Sequence, residues 1–130
     1  MKGPSKSGMR PKGRWNMTET NFGKKLRKKL TEAGWMCEKI PCGRFKQGFP
    51  DCILIDPDGM VIFAELKVGY NPVTPLQRKK LEQLDGKGCN ACVIRLCDNI
   101  LITSWRGRSF KLGEKGYFLQ KEIEQIWEGK

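Results

Sequence analysis

The chain has 130 residues, enough for one domain with one modest core. Its 25 Lys and Arg against 14 Asp and Glu give a formal charge of +11, and 38% hydrophobic with 30% charged residues suits a soluble globular domain with a polar tail. Histidine is absent, which excludes His-based triads, His metal ligands and His general bases. No apolar run approaches the roughly 20 residues that span a bilayer, and the opening MKGPSKSGMRPKGRW has no apolar stretch of the kind a secretory signal needs.

The charge is unevenly spread. Residues 1–30 carry +9 and residues 31–130 only +2. Residues 1–16, rich in Gly, Pro, Ser and basic side chains, read as a flexible basic arm that cannot bury itself, followed by a single domain over 17–130. Positive charge this dense suits a polyanion, and nucleic acid is the expected partner because neutralised phosphates release counterions. The candidate contacts are Arg10, Lys12 and Arg14 in the arm, Lys24 and Lys28 on the first helix, and Arg44 and Lys46 in the loop PCGRFKQGFP. A membrane surface fits poorly, since the basic run lacks an apolar face.

In chain order, residues 18–33 read as a helix: Thr18 is the N-cap, Phe22, Leu26, Leu30 and Ala33 recur at helical spacing, and Gly34 stops it. A short strand, WMCEKI, spans 35–40. After the glycine- and cation-bearing loop, Asp51–Asp56 is an apolar strand, DPDG at 56–59 is a turn, and 60–68 (MVIFAELKV) is the returning strand. Residues 74–87 form a second helix with Thr74 as N-cap, Pro75 in the first turn and Gln77 completing a capping box. Strands follow over 91–96 and 100–105, the latter at a sheet edge. A closing amphipathic helix over 117–127 carries Leu119, Ile123, Ile126 and Trp127 on one face. The order αβββαββα predicts an α/β fold, a mixed sheet of about five strands flanked by helices.

Six cysteines are present, at 37, 42, 52, 89, 92 and 97. With no secretory signal, a reducing, cytoplasmic setting is expected rather than a disulfide framework. Cys89 and Cys92 have zinc-like spacing, but the only other close pair, Cys37 and Cys42, is a poor second half and no histidine can complete a mixed site, so the cysteines are expected to be free thiols.

Three polar placements do not fit a purely structural role. Asp51 opens an apolar strand. Glu65 and Lys67 share one face of the next strand with Phe63, because strand side chains alternate. Glu19 lies on the apolar stripe of the first helix and so points at the sheet. Antiparallel pairing around the 56–59 turn brings Asp51 and Glu65 to the same rim. Two carboxylates that close repel unless a cation lies between them, and oxygen donors select hard ions, here Mg²⁺ or Mn²⁺. Lys67 beside them is suited to holding an attacking water or neutralising charge on a phosphate. Gln77, on the helix face shared with Leu81 and Leu84, is placed to orient a water or a phosphate oxygen. The purely structural alternatives are an edge-strand ion pair for Glu65 and Lys67, a cap for Gln77, and a helix N-terminal acid for Glu19.

These residues resemble a known signature. Gly48-Phe49-Pro50-Asp51, thirteen residues, then Glu65-Leu66-Lys67 is similar to the PD-(D/E)XK nuclease motif. The run continuing through Thr74-Pro75-Leu76-Gln77 to Val93-Ile94-Arg95 resembles the small VRR-NUC type nucleases, with Ile94 departing from the Val-Arg-Arg that names them. The resemblance covers roughly residues 18–97. It implies a restriction-endonuclease-like core. It also implies Asp51 and Glu65 as metal ligands with the Leu66 backbone carbonyl, and Lys67 as the water-activating cation. Glu19 would act through water or on a second ion, and Gln77 would be the glutamine of the second core helix. The function it implies is a Mg²⁺/Mn²⁺-dependent endonuclease cutting DNA by structure rather than sequence. The kinship of such folds with Holliday-junction resolvases extends this to branched DNA and to a C2 homodimer, with the C-terminal helix either a candidate dimer surface or simply a cover for the sheet. The compact form suggests a phage origin. The competing readings are a non-catalytic nucleic-acid-binding module, which leaves Glu19, Asp51, Glu65 and Lys67 unexplained as a set, and a zinc-stabilised interaction protein, which rests on the cysteines alone.

Overall fold

The computed structural model describes residues 17–41, 47–105 and 119–129. Its elements are α1 (Glu19–Glu32), β1 (Met36–Lys39), β2 (Cys52–Ile55), β3 (Val61–Val68), α2 (Pro75–Gly86), β4 (Asn90–Leu96), β5 (Ile100–Ser104) and α3 (Leu119–Glu128). The order αβββαββα expected from the sequence is the order found. The five strands form one sheet, β1-β2-β3-β4-β5, in which only the β3–β4 pair is parallel. Helix α2 makes the crossover that a parallel pair requires.

Local chemistry sets these elements. The Thr18 hydroxyl accepts the Asn21 amide at 3.0 Å and starts α1. At its other end the chain turns through Gly34 at φ +98, where a left-handed residue is needed. That turn explains one correction. Ala33, expected on the buried stripe, is exposed because it is already the C-cap, while Phe22, Gly23, Leu26 and Leu30 are the buried residues of α1. The β2–β3 hairpin closes as expected: the Asp56 carboxylate accepts the amides of Asp58 at 2.9 Å and Met60 at 2.8 Å, and Gly59 takes φ +95.

The alternation of β3 divides the molecule. Ile62, Ala64, Leu66 and Val68 join Cys52, Leu54, Cys92, Ile94 and Leu96 in the main core under α1 and α3. On the opposite face a smaller cluster joins Leu81 of α2 to Ala91 and Val93 of β4. Phe63, Glu65 and Lys67 lie on this second face, as the strand period requires. The five described cysteines are free thiols, with Cys52 and Cys92 fully buried among the apolar residues.

Helix α3, which from the sequence is either a dimer surface or a cover for the sheet, turns its apolar face inward. Leu119 and Ile123 are buried in the main core, and the Trp127 ring meets Phe22 edge-on at 5.4 Å between centroids. Gln120 binds the outer edge of β5, its amide accepting from the Ile102 amide and donating to the Ile100 carbonyl, each at 2.6 Å. A side-chain amide thus occupies the edge that a sixth strand would otherwise pair with.

Candidate active site at the open edge of β3

Strand β2 begins at Cys52, opposite Ala64, so among the described residues β3 runs on from Glu65 to Val68 with no strand on that side. Its backbone groups there need other partners. Two carboxylates supply them. Asp51 Oδ2 accepts the Leu66 amide at 2.8 Å, and Glu19 Oε2 accepts the Val68 amide at 3.4 Å. The acids singled out in the sequence are therefore gathered along one strand edge, Asp51 from the entry to β2 and Glu19 from the first turn of α1. The N–H and C=O of one strand residue leave on the same side, so the Leu66 carbonyl also faces this gap. A pocket of about 140 Å³ lies here, lined by Glu19, Thr20, Gly23 and Arg27 of α1, Lys39 at the end of β1, Asp51 and Leu66.

The loop preceding Asp51 is fixed from both sides. Phe49 packs edge-on against Phe63, ring centroids 6.1 Å apart. Gly48 adopts φ +79, and a Cβ there would lie 2.6 Å from the Leu76 carbonyl oxygen of α2. The glycine of Gly48-Phe49-Pro50-Asp51 is thus required twice, by its backbone conformation and by the approach of α2.

Glu65 and Lys67 are both buried, at 2% and 5% exposure, with Lys67 Nζ 3.7 Å from Glu65 Oε2. Burial is the largest influence on the Glu65 carboxyl and pushes it up to about 8. The Asp51 charge adds to the rise, the Lys67 ammonium opposes it, and a hydrogen bond with Asp51 and the more distant Glu19 charge raise it further.

Among the described residues no three His, Cys, Asp or Glu side chains form a metal-holding group. The donor set expected from the sequence is smaller: the Asp51 and Glu65 carboxylates with the Leu66 carbonyl. Such a set fits Mg²⁺ or Mn²⁺, hard ions that take one or two carboxylates and complete their shell with water and phosphate oxygens. It does not fit zinc, which favours nitrogen and sulfur.

The remaining sequence candidates fall differently. Gln77 is half-buried and completes the cap of α2: its Oε1 accepts the Thr74 amide at 2.9 Å while the Thr74 hydroxyl accepts the Gln77 amide at 3.2 Å. Its NH₂ group has no part in the cap. Lys24 and Lys28 are exposed on α1, and Lys28 lies 4.0 Å from Glu32 in a surface pair. Arg10, Lys12, Arg14, Arg44 and Lys46 lie outside the described residues.

Four residues of the site were not singled out from the sequence. Arg27 and Lys39 line the pocket. Arg95 Nη1 donates to the carbonyls of Gly69 at 2.9 Å and Asn71 at 2.7 Å, and Asn71 Nδ2 in turn donates to Glu19 Oε2 at 2.8 Å. The segment after β3 is thereby tied both to β4 and to Glu19. One signal for Arg27 was present: a glycine inside a helix costs about 1 kcal/mol relative to alanine, and Gly23 stands four residues before it.

No family model matches the chain, and no curated protein matches it in sequence. Solved structures do. A structure described as a VRR_NUC domain matches at 26% identity with a TM-score of 0.52, covering 62% of this chain and 85% of its own. The Archaeoglobus fulgidus protein Hjc, a Holliday junction resolvase from an archaeal hyperthermophile, matches at 20% identity with a TM-score of 0.57, covering 83% of this chain and 98% of its own. The chain is similar to the VRR_NUC domain in sequence and structure, and it shares the fold of the resolvase.

Proposed function

We propose that this protein is a Mg²⁺- or Mn²⁺-dependent endonuclease that hydrolyses phosphodiester bonds in DNA, selecting branched structures rather than a sequence. The observation that carries the reading is the Asp51 carboxylate held on the Leu66 amide at the open edge of β3, with the buried Glu65 and Lys67 side chains, 3.7 Å apart, on the residues to either side of Leu66. The likeness to a VRR_NUC domain and the resolvase fold support it, as does the +11 charge.

Asp51, Glu65 and the Leu66 carbonyl would hold the ion. When bound, such an ion offers positive charge to a phosphate oxygen and makes a water more acidic. The chain's own residues supply the rest. Lys67, buried and held by Glu65, keeps an ammonium at the point where negative charge grows on the phosphorane oxygens. The Leu66 amide holds the Asp51 carboxylate in a fixed orientation, so little reorganisation accompanies reaction. Glu19, anchored by Asn71, forms the far wall of the pocket and acts through water or on a second ion. Gln77, whose oxygen accepts the Thr74 amide in the helix cap, has its NH₂ group to offer a water or a phosphate oxygen. Resolution of a four-way junction needs two cuts related by symmetry, so the active species on that substrate is a C2 dimer.

The test is a panel of labelled DNAs (linear duplex, single strand, flap and four-way junction) incubated with Mg²⁺, Mn²⁺ or a chelator. Cleavage only with the ion, strongest on the branched substrates, is expected. Cleavage that persists in chelator, or none on any substrate, rejects the reading.

A further inference from the structure

The pocket at the edge of β3 has a second half that the acids do not explain. Glu19, Thr20, Gly23 and Arg27 follow one another at helical spacing along α1. Helical side chains lean toward the N-terminus, so Arg27 leans back over Gly23 toward Glu19. It does so closely: a Cβ on Gly23 would lie 2.9 Å from Arg27 Nη1 and 3.7 Å from its Cζ. The same Cβ would be 3.2 Å from Leu66 Cδ1, so the guanidinium occupies the gap that the missing side chain leaves beside β3. The partner of the guanidinium in the protein is the buried Cys52 thiol, with Cys37 also in reach of its charge, and among the described residues no carboxylate forms an ion pair with it. Lys39 brings a second cation to the same pocket from the end of β1.

We infer that Arg27, seated in the gap at Gly23 and assisted by Lys39, binds a phosphate of the DNA strand on the α1 side of the Asp51 and Glu65 carboxylates. A guanidinium presents a planar fork of donors that matches two phosphate oxygens, and one half-withdrawn from water gives up less hydration when it binds them. The ordinary solvated helix cation, as at Lys24 and Lys28, has no reason to lie over a glycine inside a pocket. Here the glycine costs helix propensity, and the room it makes is taken by the guanidinium. This subsite rests on the endonuclease reading for its substrate, but its test does not depend on cleavage.

Binding of a labelled four-way junction is read by fluorescence anisotropy in EDTA over a range of salt concentrations. Arg27→Gln is expected to weaken binding about tenfold and to reduce the slope of log K against log salt by about one, the signature of one lost phosphate contact. Arg27→Lys restores the slope but only part of the affinity, because the fork is gone. Gly23→Ala, folded as judged by circular dichroism since alanine favours the helix, weakens binding in the wild-type background and adds nothing to Arg27→Gln, because both act through the same guanidinium. Wild-type affinity and slope in both single variants overturn the subsite while leaving a metal-dependent nuclease standing. So does additivity of the two changes. A wild type without affinity for DNA overturns the subsite and the nuclease together, and a wild type that binds but never cuts overturns only the nuclease.

Discussion

The Leu66 amide donates to the Asp51 carboxylate across 2.8 Å, at the point where β2 has not yet begun and β3 would otherwise have an open edge. Asp51 is therefore both the strand's missing partner and a proposed ligand, and the two roles separate by substitution. Asp51→Ala leaves a part-buried amide without its acceptor and should cost about 1–3 kcal/mol, whereas Asp51→Asn keeps an oxygen there and should cost less. Urea denaturation of both variants in chelator checks this, and equal stability would detach the edge from Asp51.

The raised Glu65 carboxyl has a consequence for stability in the ion-free protein. The folded state holds this proton up to about 8, while an unfolded glutamate releases it near 4.5. Between those values the folded state binds more protons, so stability falls as pH rises, by at most about 5 kcal/mol in all. The contribution is intact below the unfolded value and lost through the folded one. Thermal melts in chelator across that range should show the decline, and Glu65→Gln should flatten it. Mn²⁺ added at pH 7 should raise the melting temperature and release about one proton per ion. A Glu65→Gln protein with the wild-type pH profile would contradict the assignment.

Gly48 and Gly59 give a matched pair. Both have positive φ, but a Cβ on Gly59 meets nothing within 4 Å while one on Gly48 collides with the Leu76 backbone. Gly59→Ala should cost about 1 kcal/mol from conformation alone. Gly48→Ala should cost about 2–4 kcal/mol and displace the entry to Asp51. Equal losses by chemical denaturation would mean that the approach of α2 carries no weight.

Arg95 acts at a distance. Its two hydrogen bonds hold the segment that presents Asn71 to Glu19. Arg95→Met should cost about 1–3 kcal/mol and lower cleavage about tenfold, and Asn71→Ala should reproduce the activity loss with a smaller effect on stability. If Asn71→Ala cleaves like wild type, the tie to Glu19 does not matter for the reaction.

Much of this was legible in the chain. The alternation of MVIFAELKV put Glu65 and Lys67 on one face, and the length of the hairpin brought Asp51 to the same rim as Glu65, because period and register are local properties. The cap of α2 followed from Thr74 and Gln77 in the same way. What the sequence did not disclose depended on contacts between elements remote in the chain. The Arg95 clamp spans β4 and the segment after β3, and the Arg27 seat needs α1 laid against Leu66. The C-terminal helix was ambiguous for a related reason: an amphipathic stripe shows that a face is covered but not by what, and here Phe22 and the core cover it.

The central claim, that Asp51 and Glu65 with Lys67 form an ion-dependent cutting site, is tested most directly on a four-way junction in Mn²⁺. Wild type, Asp51→Asn and Lys67→Met are purified identically and compared under single-turnover conditions. Cleavage by wild type and a loss of at least about 100-fold in each variant are expected, with folding retained by circular dichroism. Equal cleavage by all three preparations would assign the activity to something other than this site and contradict the account.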